Sequence, residues 1–129
     1  MAGPAVIDPT RAPARQFSTQ TADDTQVLLG AMKIIHSDPL QSAFSRLLTG
    51  DLERGDGVAL AHFFEEISVL ALRRHVAEDL LFDVFAIDLY WKQLRGDVEK
   101  IRTKTENPKF CENFEITARL AAEYRNNRS

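Results

Sequence analysis

The stretch VALAHFFEEISVLALRRHVAEDLLFDVFAIDLYWKQL, residues 58–94, decides the fold. It lacks proline and glycine and carries most of the large apolar side chains of the chain. At about 100° per residue, Leu60, Phe63, Phe64, Ile67, Leu70 and Ala71 share one helical face. His62, Glu65, Glu66 and Arg73 lie roughly opposite, with Val69 and Leu72 among them. In the second half, Leu80, Val84, Ile87, Trp91 and Leu94 form one apolar stripe. Leu81, Phe82, Phe85 and Leu89 form another on the far side. A helix apolar on two sides is either central in its bundle or shared with another molecule.

Read as one helix, the stretch would be about 55 Å long, which is long for a domain of this size. The apolar phase shifts around residues 73–77, where Arg74 enters the first stripe. Glu78 and Asp79 then supply carboxylates for the first turn of a new helix. The pattern predicts a central helical hairpin over about 57–95, with arms at 57–73 and 77–95.

Outward from the hairpin, residues 1–22 hold three prolines and no period, and read as a disordered tail. A single helical domain over 23–126 follows. Asp23 or Asp24 caps a first helix with Val27, Leu28, Ala31, Met32, Ile34 and Ile35 as its apolar positions. Asp38 and Pro39 suit the cap and first turn of a second helix, which Gly50 closes. Asp56 is placed to cap the hairpin. Beyond it, Gly96 is a point of interruption and Asn107-Pro108 a break. A last helix runs over about 110–126, with Phe110, Phe114, Ala118, Ala121 and Tyr124 facing inward. The expected fold is all-α, a compact bundle of four to six helices.

The 129 residues are 44% hydrophobic with a net charge of −3, which gives no reason to expect nucleic acid. Residues 92–129 are mildly basic, with 9 basic and 6 acidic side chains. Lys92, Arg95, Lys100, Arg102 and Lys104 leave weak nucleic-acid binding through 92–104 as an alternative to a solvated helix face. The lone Cys111 excludes an internal disulfide and a Cys-rich metal site. No stretch reads as a signal peptide or a membrane-spanning segment, so a cytoplasmic location is expected.

The runs Phe63-Phe64-Glu65, Tyr90-Trp91, Ile101-Arg102 and Glu112-Asn113-Phe114-Glu115, with Glu78 and Asp79 between them, resemble a family of small bacterial helical domains of unknown function. The resemblance spans about residues 25–125. It implies an all-helical fold and, in many members, a membrane helix ahead of the domain; here a polar, proline-containing segment stands there. Many members also place a glycine at the hairpin turn, where this chain has Arg74-His75. The family supplies no catalytic residues.

Glu65 and Arg102 neighbour core positions, and a buried carboxylate must be paired or hydrogen-bonded. They are therefore expected to form a structural polar pair, with Arg102 reaching Glu65 bidentately. The hairpin carboxylates Glu65, Glu66, Glu78, Asp79 and Asp83, with His62 and His75, raise a metal-binding or enzymatic bundle. The needed Glu-x-x-His motif appears once, reversed, as His62-x-x-Glu65, so no metal ligand or cofactor is assigned. Cys111 reads as a small apolar residue beside Phe110 and Phe114. The leading expectation is a non-enzymatic interaction module that binds a protein partner or a second copy of itself. Leu81, Phe82, Phe85 and Leu89 form the candidate interface.

Overall fold

The computed structural model describes residues 22–128, so the expected N-terminal tail lies outside the described residues. Six helices follow in order: α1 (Ala22–Ile35), α2 (Leu40–Thr49), α3 (Asp56–Leu72), α4 (Glu78–Val84), α5 (Ile87–Thr105) and α6 (Glu112–Arg128). There is no strand among the described residues, and the fold is an all-α bundle. Helix α3 sits at its centre, packed against α2, α5 and α6, while α1 lies on α2.

Phe64 shows why α3 is central. It is fully buried, and its ring meets Tyr90 of α5 at 5.1 Å, Phe114 of α6 at 5.4 Å, Phe85 at 6.0 Å and Phe44 of α2 at 6.4 Å. Burying one such side chain contributes about 1.5–3 kcal/mol, so this ring is a junction of four segments. Contacts along α5 run opposite to both neighbours: Phe64 meets Tyr90 while Gly57 meets Asp97, and Arg125 meets Asp88 while Glu115 meets Arg102. Gly57 leaves room for the Asp97 side chain. A Cβ there would run into the Asp97 carboxylate.

The second arm of the expected hairpin is not one helix. It breaks at Phe85 (φ −122, ψ 127) and Ala86 (φ −80, ψ 66), separating α4 from α5. The break turns the two apolar stripes the same way. Leu81, Phe82 and Phe85 on one side of it and Ile87, Tyr90, Leu94 and Val98 on the other are all buried. One helix apolar on two sides is thus two helices, each apolar on one side. The candidate interface of Leu81, Phe82, Phe85 and Leu89 is corrected accordingly. The first three are core residues, with Phe82 against Tyr124 and Phe85 against Phe63 and Phe64, and only Leu89 is exposed.

Other boundaries shift for local reasons. Gly96 does not interrupt α5, which continues to Thr105. The cap expected from Asp38 is absent: Asp38 accepts a hydrogen bond from Ser42 Oγ, and Pro39 stands at the N-cap. Asp56 does not cap α3 either. Its carboxylate faces Arg46 of α2, whose Nε and Nη2 donate to it at 2.6 and 2.8 Å, and it also accepts the Glu53 N–H at 2.8 Å. After α3, the His75 N–H reaches the Leu70 carbonyl and the Arg74 N–H that of Ala71, a Schellman closure. It places Arg74 at φ 65, in the left-handed region that favours glycine.

Candidate functional site

The segments singled out in the sequence meet at the start of α6. A turn over 107–110 leads in, with the Lys109 N–H bonded to Asn107 Oδ1. Cys111 follows at φ 58, and the Glu115 N–H bonds back to its carbonyl, so Cys111 marks the entry of the helix. The first N–H groups of a helix lack partners within it. Here the half-buried Glu65 of α3 supplies one, accepting the Phe114 N–H at 2.8 Å and Asn113 Nδ2 at 2.7 Å. Its negative charge lies at the positive end of the α6 dipole.

Arg102 holds the same entry from α5. Its Nε donates to the Phe110 carbonyl at 2.8 Å, its Nη1 pairs with Glu115 at 2.9 Å, and its guanidinium stands 5.8 Å from the Trp91 ring centre. Trp91 in turn packs edge-on against Phe114 at 5.1 Å. Glu65 and Arg102 are therefore brought to one place, and they do not pair with each other. Each takes partners on α6 and its approach, which were out of reach of sequence spacing. Asn113 and Glu115, the partners of Glu65 and Arg102, were given no role from the sequence; their signal was the run Glu112-Asn113-Phe114-Glu115 at the first turn of a helix.

Cys111 lies between them, buried, with Sγ 3.7 Å from the Ala61 carbonyl. Burial first, and then the negative charge of Glu65, push its thiol up to about 12, against a smaller opposing effect of Arg102. A cysteine of that character is a protonated thiol at neutral pH and a poor nucleophile. The polar groups of this junction are spent on holding α6.

The other candidates scatter. His62 is exposed, edge-on to Phe110 at 5.5 Å, and His75 and Glu66 are exposed. Glu78 is buried at the start of α4, and Asp83 accepts the Tyr124 hydroxyl at 2.8 Å. No group of three or more His, Cys, Asp or Glu placed to hold a metal ion occurs among the described residues. Along 92–104, Arg95 pairs with Glu99 at 3.5 Å and Arg102 turns inward, while Lys92, Lys100 and Lys104 stay exposed. A shallow open groove lined by Glu99, Arg102, Thr103, Glu106 and Pro108 runs beside them. None of the helices among the described residues is long and apolar enough to cross a membrane.

Fold and junction together define an all-α domain in which two helices, α3 and α5, converge on the clamped start of a third, α6. The chain belongs to a domain family of unknown function, DUF4760, whose model matches residues 8–120. No curated protein and no solved structure matches it.

Proposed function

We propose that this domain is a non-enzymatic, cytoplasmic helical interaction module that binds a protein partner through the α1–α2 hairpin. One observation carries the reading. The three most exposed large apolar side chains among the described residues, Leu48 at 60%, Ile34 at 56% and Leu29 at 52%, all lie on this two-helix layer. Single exposed apolar residues are ordinary on a surface; three on one two-helix layer, with Leu29 and Ile34 about 140° apart around α1 on either side of its buried stripe, favour a partner that wraps this layer. The partner that fits is an apolar helix face, because these aliphatic side chains offer area and little hydrogen bonding.

The test compares the wild type with Ile34→Asp/Leu48→Asp. Both are immobilised and challenged with an extract of the native host, after far-UV circular dichroism and thermal melts show both folded. The reading expects a protein retained by the wild type and lost, by at least about tenfold in affinity, with the variant. Equal retention on both would overturn it. Solution mass over a range of concentrations shows whether the retained partner is a second copy.

A further inference from the structure

We infer that α1 is a strap that opens and closes on the folded domain, hinged at residues 36–39, while α2 to α6 stay in place. The inference rests on the packing of α1 and goes beyond the docking proposal, so either can fail without the other.

Helix α1 packs mainly against a single neighbour, α2. Its buried apolar residues are Leu28, Ala31 and Ile35, whereas α3 buries ten residues over a similar length. A helix of fourteen residues is marginal on its own, and Gly30, with no atom near the place of its missing Cβ, weakens it further. The next element is fastened differently. Arg46 holds Asp56 through two bonds, and Phe44 packs against Phe64 and, edge-on at 5.5 Å, Tyr90. Between the two, the chain turns through Ser37, whose hydroxyl donates to the Lys33 carbonyl, and Asp38, which is bonded to Ser42 within α2. Ser37 joins the two helices, its N–H bonded back to Ile34 and its carbonyl accepting the Gln41 N–H of α2, so the chain can swing about Ser37 with α2 kept whole. Once off α2, α1 is too short to hold its own bonds and unwinds in part, which frees its amides to exchange. Segments with few buried contacts open at lower free energy than the core. Opening α1 uncovers the face of α2 beneath it and leaves the aromatic junction around Phe64 intact.

The test is native-state hydrogen exchange of the full chain, followed by mass spectrometry, for the wild type and Ile67→Val. Amides of α1 are expected to exchange roughly a hundredfold faster than the protected amides of α3, α5 and α6. The substitution in α3 destabilises the closed domain and the α1-open domain alike. It should therefore speed exchange in α3, α5 and α6 by roughly two- to tenfold and leave α1 unchanged. If α1 speeds up by the same factor, it exchanges only through global unfolding, and there is no strap. Val98→Ala in α5 repeats the comparison with a larger perturbation.

Discussion

Glu65 does at the residue scale what a capping side chain usually does from within its own helix: it satisfies the first turn of α6, reaching it from α3. Glu65→Ala leaves the Phe114 N–H and the Asn113 amide without their acceptor in a half-buried site. The expected loss is about 1–3 kcal/mol, read from the denaturant midpoint at unchanged slope. Loss below about 0.5 kcal/mol would mean that water replaces the carboxylate without cost. Asp56 supplies a second prediction. The Arg46 guanidinium, and then the Glu53 N–H, hold its carboxyl down to about 2 against burial, which opposes them, from an ordinary 3.8. A depressed carboxyl stabilises the fold above its unfolded value and loses that contribution as pH falls through the folded value. The gap in denaturant midpoint between wild type and Asp56→Asn should thus be full at pH 5 and shrink between about pH 4 and pH 2. A gap independent of pH over that window would show that the Arg46 contact carries no linked proton.

The break at Phe85 and Ala86 is the decisive feature among the elements. The period of the sequence located α1, α2, α3 and α6 and merged α4 with the first half of α5 into one arm, and Gly50 marked the end of α2 as expected. The break was missed because Phe85, Ala86 and Ile87 are neither glycine nor proline and carry no capping side chain. Its one trace was the second apolar stripe, which we read as an outer surface and which is the consequence of a phase change. Tyr90, which belongs to neither stripe, is buried for the same reason. Asp38 and Asp56 show the complementary failure. Local capping rules put them at helix starts, and tertiary partners took their carboxylates. Ala86→Pro separates the two readings of this region. Ala86 lies near the φ of proline, and Phe85 before it is extended, as a residue preceding proline prefers. The substitution should be neutral or stabilise by up to about 1 kcal/mol. In a continuous helix over 77–95 it would cost about 3 kcal/mol or more.

For the whole molecule, Leu81, Phe82 and Phe85 line the inside of a single chain. Phe85 is the residue on which this turns, because it is 3% exposed and touches both Phe63 and Phe64. The measurement is far-UV circular dichroism with denaturant unfolding of Phe85→Glu, alongside solution mass at micromolar concentration. A carboxylate in place of that ring removes a buried aromatic, itself about 3–5 kcal/mol, and adds the desolvation of an unpaired charge. The sum approaches the total stability of a small domain, about 5–15 kcal/mol. A variant without cooperative unfolding is the expected result. A Phe85→Glu chain that keeps its helicity and its cooperative transition, and merely halves its solution mass, would contradict it and place Phe85 at a surface between two copies.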